Sequence, residues 1–267
     1  MSIGMEYLIL LAVALVISAI GFYKYVYFIS LGYGFAITGI GIAMLVLFRG
    51  RLSIGTILLC ALFIVYGCRL GGYLLVREIK SASYQATMKK EIKDGSDMKL
   101  IAKLSIWISC AFLYTLETAP VFFRLANGGK TDAAAIAGVV IMLCGLLLES
   151  ASDLQKSKAK KQNPKRFVDT GLFRVVRCPN YLGEVLFWTG VFVSGVNVLN
   201  GAIQWLAAAA GWVCIVYIMF GGARRLELRQ NRNYGDDPEY QAYVKKTPIL
   251  LPLVPLYSVA KYKWLVG

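Results

Sequence analysis

VYFISLGYGFAITGIGIAMLVLF, residues 26–48, holds 23 consecutive positions without a charged side chain. A helix rises 1.5 Å per residue, so about 20 apolar residues cross the ~30 Å hydrocarbon core of a bilayer. The stretch reads as a membrane span. Similar windows flank it at 5–23, 53–76, 100–123, 133–149, 182–198 and 201–221. Backbone polar groups in lipid must be satisfied within the chain, so seven such windows predict an all-α, polytopic membrane protein. One membrane-embedded domain over 1–267 is expected, with a polar tail at 222–267. Composition agrees: 58% of the 267 residues are hydrophobic, 16% are charged and mean hydropathy is +0.60. These values exclude an ordinary soluble domain. The first window lacks a basic n-region and a small-residue cleavage site, so it is expected to stay as a helix.

The net charge of +14 is unevenly distributed. With the N-terminus outside, the inner segments (Lys24, 77–99, 150–181 and the tail from 222) hold 23 of the 29 Lys and Arg residues. The outer connections hold four: Arg49, Arg51, Arg124 and Lys130. That bias predicts N-terminus out and C-terminus cytoplasmic. Topology and anionic membrane lipid account for the charge, and nucleic acid is not needed as a partner. The short loops favour a bacterial inner membrane over the endoplasmic reticulum, and a monomer suffices. In the tail, RRLELRQNR reads as charged helix and YGDDPEY as a turn, while Pro248, Pro252 and Pro255 forbid a continuous helix beyond it.

The chain has no histidine, which removes imidazole-based triads, haem ligation and most zinc sites. Cysteines at 60, 68, 110, 144, 178 and 214 form no C-x-x-C, and five lie in apolar runs. They read as buried small hydrophobes, with no metal site expected.

Polar groups at membrane depth are costly unless paired or hydrated, which makes them functional candidates. In the third window Tyr66, Arg69 and Tyr73 recur at i, i+3 and i+7, a stripe expected to face the protein interior. Glu117 lies deep in LYTLETAPVFF. It reads as a proton donor, as the partner of Arg69, or as a neutral acid satisfied by a carbonyl freed near Pro120. Glu149 and Asp153 share a helical face at the end of the fifth window, and Asn180 and Glu184 repeat that spacing at the start of the sixth. A rim of basic residues that includes Lys160, Lys165, Arg166, Arg174 and Arg177 suits a phosphorylated ligand whose polar head enters this mouth. A solvated basic loop with carboxylate counter-ions explains the charges equally, but explains Asn180 and Glu184 less well.

ESASDLQKSK (149–158), TGLFRVVRCPNYLGE (170–184) and RRLELRQNRNYGDDPEYQAYVKKTPILLP (224–252) together resemble the steroid 5α-reductase family, including its bacterial relatives, and more distantly the sterol C14 and C7 reductases. The likeness covers most of 53–257 and is strongest over 149–188, where D-x-Q, GLF and PNYLGE keep the family spacing. It implies NADPH-dependent reduction of a carbon–carbon double bond conjugated to a carbonyl in a lipid-like substrate. By the same resemblance Tyr66 would bind the substrate carbonyl; the residues at hand to polarise its hydroxyl for that chemistry are Arg69 and Glu117. Asp153, Arg166, Asn180 and Glu184 would lie near the dinucleotide, with Tyr181 in the same block. Lys80, Lys160, Arg177, Arg225 and Tyr243 are looser matches for its pyrophosphate or adenosine end. A G-x-G-x-x-G loop is absent, as expected of a family that builds this site from helices and loops.

Two departures stand out. Steroid-reducing members carry a glutamate on the second helix, whereas 26–48 contains no acid, leaving Glu117 as the candidate replacement. Many bacterial relatives have histidine where this chain has Cys178. The competing reading is an S-adenosylmethionine-dependent methyltransferase of the isoprenylcysteine carboxyl type, which shares a basic-Pro-x-Tyr-x-Gly block. Such enzymes carry an adjacent Glu-Glu pair after the last span, where this tail has Glu227 between leucines. A transporter or lipid-binding scaffold is the third reading, but no symmetry-related interrupted spans support it.

Overall fold

A computed structural model describes residues 2–80 and 98–266. Helix accounts for 77% of the structure, and no strand occurs among the described residues. The helices are α1 (Ile3–Ser18), α2 (Leu31–Leu47), α3 (Ile54–Lys80), α4 (Leu100–Ala126), α5 (Ala133–Gln162), α6 (Pro179–Gly195), α7 (Gly201–Tyr234) and α8 (Pro238–Lys246). Short 3₁₀ turns cover Ala19–Phe22, Tyr25–Ile29 and Gly171–Arg174. Among the described residues six helical stretches are long and apolar enough to cross a membrane, which makes the protein a polytopic membrane protein. The sixth expected window, 182–198, folds instead as α6, 17 residues that begin and end three positions earlier. Pro179 starts it, since proline tolerates the first helical turn where no N–H is needed. At 1.5 Å per residue α6 measures about 25 Å, at the lower limit for a span. Of the expected inner segment 77–99, residues 81–97 lie outside the described residues.

The chain divides into two compact units, 1–139 with 191–211, and 140–190 with 212–267. In the first unit α2 lies hard against α3. A Cβ on Gly67 would come 2.3 Å from the Gly34 carbonyl, so only glycine permits this approach. Trp107 donates to the Leu15 carbonyl (2.9 Å) and Tyr7 to Thr115 (3.0 Å), tying α1 to α4. Pro120 sits inside α4 without breaking it. Proline has no N–H for the Leu116 carbonyl four residues back, and Gly211 of α7 packs on that carbonyl.

Arg124, counted among the outer charges, is fully buried in the last turn of α4. Its guanidinium donates to the carbonyls of Ser194 and Lys130, both at 2.6 Å, and pairs with Asp132 at 3.0 Å. Burial acts to raise the Asp132 carboxyl, but the Ala135 N–H and Arg124 outweigh it and hold the group below the usual carboxylate range.

In the second unit Cys178, Ala223, Leu226, Ile249, Leu250, Val259 and Leu265 form a buried apolar core. Asp237 caps α8 by accepting from the Glu239 N–H (2.9 Å), and Pro238 follows at the first helical position. Beyond Thr247 the three prolines leave an irregular strap that runs back along α7. Cys60 and Cys178 are buried, but Cys68, Cys144 and Cys214 are exposed, because a membrane helix also has a lipid-facing side on which small apolar residues belong.

Candidate functional site

In the second unit Gly145 of α5 meets Gly183 of α6, where a Cβ on Gly183 would lie 2.7 Å from the Glu149 N–H nitrogen. Glycine at both positions lets the two backbones touch, and Glu149 lies against α6 at Gly183. Glu149 and Glu184 are both buried, while Asp153 and Asn180 are half-buried one turn from each. The Asn180 Oδ1 is itself buried and accepts no hydrogen bond among the described residues. A carboxamide oxygen without a donor in an apolar setting costs free energy unless a ligand supplies one. Tyr181 packs on the apolar core and over Gly222.

Several basic and aromatic residues assigned to the ligand are used by the protein itself. Lys160, in the last turn of α5, donates to the carbonyls of Pro164 (3.1 Å) and Arg166 and to the Tyr234 hydroxyl (3.0 Å). Arg166 pairs with Glu239 and with Asp169 (3.0 Å), and it lies over the Phe167 ring. The hydrogen bond it donates to Glu239 and the nearby Asp169 charge raise this guanidinium further above its usual range. Tyr243 donates to the Phe173 carbonyl (2.7 Å) and stacks on Phe167. Gln155, the Gln of D-x-Q, accepts from the Leu172 N–H (2.9 Å) and so fixes the GLF turn, with Gly171 at φ +60°. The 163–178 connector is therefore held in place by the side chains of Gln155, Lys160 and Tyr243.

Arg177 closes the same connector from below. Its side chain and that of Glu227 are each 1% exposed and 2.8 Å apart. Arg177 also donates to the Tyr257 carbonyl, and Glu227 accepts from the Val259 N–H (2.9 Å). The backbone N–H groups of Arg177 and Cys178 donate to the carbonyls of Pro248 and Ile249, at 2.8 and 3.0 Å. Burial pushes the Cys178 thiol up to about 12, so this position contributes packing in place of acid–base chemistry. Arg225 is exposed on α7 beside a groove lined by Arg224, Leu228 and Arg232. Lys80 ends α3, exposed and in the first unit.

The other candidate cluster lies within the first unit. Tyr66 is fully buried, and its hydroxyl is 3.1 Å from that of Tyr33 on α2. The Tyr33 ring is 5.2 Å from that of Tyr114, whose hydroxyl donates to the Phe28 carbonyl. Glu117 is buried three residues beyond Tyr114 on α4. The expected stripe on α3 grades outward: Arg69 is half-buried, and Tyr73 is 39% exposed with the Arg77 guanidinium over its ring. Tyr33 was missed because an uncharged tyrosine in an apolar glycine-rich span gives no polar signal. Among the described residues no group of three or more His, Cys, Asp or Glu side chains is gathered in a way that could hold a metal ion.

No curated protein and no solved structure matches the chain. The sequence model of a family described as "Protein of unknown function (DUF1295)" matches residues 15–247. The chain belongs to this family, one associated with steroid 5α-reductase-like proteins.

Proposed function

We propose that the protein is a membrane reductase that uses NADPH to reduce a carbon–carbon double bond conjugated to a carbonyl in a lipid-like enone. The observation that carries this reading is the buried Asn180 Oδ1, an acceptor without a donor, beside the buried Glu184 in the PNYLGE block. A nicotinamide carboxamide has two N–H donors to offer such a pair, so the residues present fit the group. Asp153, Asn180, Tyr181 and Glu184 are the side chains that would hold it. Lys160, Arg166, Arg177 and Tyr243 act as positioning residues that fix the connector around them.

When bound, the reduced nicotinamide supplies the hydride that adds to the substrate's β-carbon. The electron pair of the double bond then moves toward the carbonyl, and negative charge develops on its oxygen. Tyr66 donates a hydrogen bond to that oxygen and passes it a proton, and Tyr33, at 3.1 Å, donates to the phenolate left behind. The neighbouring phenol thus takes the place of the acid missing from α2. Arg69, one turn along α3, and Glu117 supply charge to the same chemistry. Return of the enol to the ketone completes the reduction: the α-carbon takes a proton from solvent and the enol O–H proton goes back to the Tyr66 phenolate.

Methyl transfer is disfavoured by the fate of Glu227, which is committed to Arg177 and the Val259 N–H. The test is to reconstitute the protein in lipid nanodiscs, supply NADPH and a panel of lipid-like enones, and follow loss of the reduced-nicotinamide absorbance. The reading expects enone-dependent oxidation that disappears in Tyr66→Phe. Methylation of an acceptor from S-adenosylmethionine by the same preparation, with no NADPH oxidation, would overturn it.

A further inference from the structure

One face of α7 changes character along its length. Val213, Cys214, Tyr217 and Ile218 are exposed and apolar or aromatic. Farther along, the same face presents Gly221, Arg225, Leu228 and Arg232, spaced at helical intervals of three and four, with Arg224 beside them. Here the surface opens into a groove of about 400 Å³ lined by these three arginines, Gly221 and Leu228. From Gly201 to Gly221 the helix rises about 30 Å, the thickness of a bilayer core, so the arginines begin where hydrocarbon gives way to headgroups.

The C-terminal strap marks the same depth independently. Tyr217 donates to the Trp264 carbonyl (2.6 Å) and stacks on the Trp264 ring, which is 64% exposed. Arg224 donates to the carbonyls of Ala260 (3.2 Å) and Leu265 (3.5 Å), which leaves three of its five N–H groups for other partners. Val266 is exposed beside Tyr217, and Lys261 and Lys263 lie on either side of Tyr262. Exposed tryptophan and tyrosine next to basic residues fit a membrane–water interface.

The geometry points to a binding site for one anionic phospholipid on this face, with its phosphate among Arg224, Arg225 and Arg232 and an acyl chain along Ile218, Cys214 and Val213. An apolar stripe running straight into an arginine groove matches a phospholipid from tail to phosphate. A dinucleotide or a free phosphate has no use for the stripe. Bidentate arginine–phosphate pairing gives the preference for an anionic headgroup, and the strap's Trp264 and lysines extend the contact.

Native mass spectrometry of the full chain in micelles, titrated with phosphatidylglycerol or phosphatidylcholine, tests this. One phosphatidylglycerol adduct is expected, held at least about tenfold more tightly than phosphatidylcholine. R225A/R232A should lose that preference. The charge-matched control K245A/K246A, on exposed residues of α8, should keep it, and R225K/R232K should retain most of it. Equal retention of the two lipids would overturn the assignment, as would undiminished phosphatidylglycerol binding in R225A/R232A. Displacement of the lipid by NADPH would instead assign the groove to the dinucleotide.

Discussion

Tyr66 and Tyr33 share a hydrogen bond in a region with no acid on α2, so each phenol has a separable part. Tyr66→Phe keeps the ring packing and removes one hydroxyl. It is expected to lower turnover by about 10²- to 10⁴-fold with NADPH affinity unchanged. Tyr33→Phe removes only the support of the phenolate, and a loss of about tenfold corresponds to one hydrogen bond of ~1.4 kcal/mol. Rates of single-turnover hydride transfer distinguish the two. At the other cluster, Asn180→Ala and Glu184→Ala are each expected to weaken NADPH by roughly 10- to 150-fold without changing the melting temperature, and calorimetric titration measures it. That Glu149 and Asp153 share one helical face, and Asn180 and Glu184 another, was legible in the sequence, because i, i+4 spacing places polar groups on one face wherever the helix lies. The fates of Lys160, Arg166 and Arg177 were not. Their partners, Tyr234, Glu239 and Glu227, are 50 or more residues distant, and only the fold brings them near.

Helix α5 runs to Gln162 and α7 to Tyr234, well past the windows 133–149 and 201–221. Hydropathy reports the length in lipid, whereas lysine, arginine, leucine and glutamate favour helix and carry SKAKKQ and RRLELRQNR onward into water. The α5–α6 contact depends on Gly183, so Gly183→Ala should cost about 1–3 kcal/mol by forcing the backbones apart, read as a lower melting temperature. Arg177→Ala leaves Glu227 buried and unpaired. Its expected cost is about 3–5 kcal/mol, which the double change Arg177→Met with Glu227→Leu should largely recover. The turn between α4 and α5 gives a pH signature. Because the folded state holds the Asp132 carboxyl low, its contribution is complete above the ordinary carboxylate range and is lost as pH falls through the folded value. Melting temperatures should therefore fall with acid more steeply in the wild type than in Asp132→Asn.

The basic residues, 23 in the expected inner segments against four outside, predict that a reporter fused after Gly267 is active only on the cytoplasmic side. The cofactor assignment requires the same orientation, since NADPH is cytosolic. Membrane class and helical content followed from composition and window length alone, because the bilayer admits few alternatives. Chemistry did not follow so directly, since an apolar helix hides which of its tyrosines are paired. What the reductase account needs first is a dinucleotide bound at Asn180 and Glu184. The most direct measurement is the melting temperature of the purified protein with NADPH or S-adenosylmethionine, for the wild type and Asn180→Ala. NADPH at about a hundredfold excess over its Kd should add ~2.7 kcal/mol of stability, a rise of several degrees, and about half or more of that rise should vanish in Asn180→Ala. Stabilisation by S-adenosylmethionine alone, or an equal NADPH shift in both proteins, would contradict it.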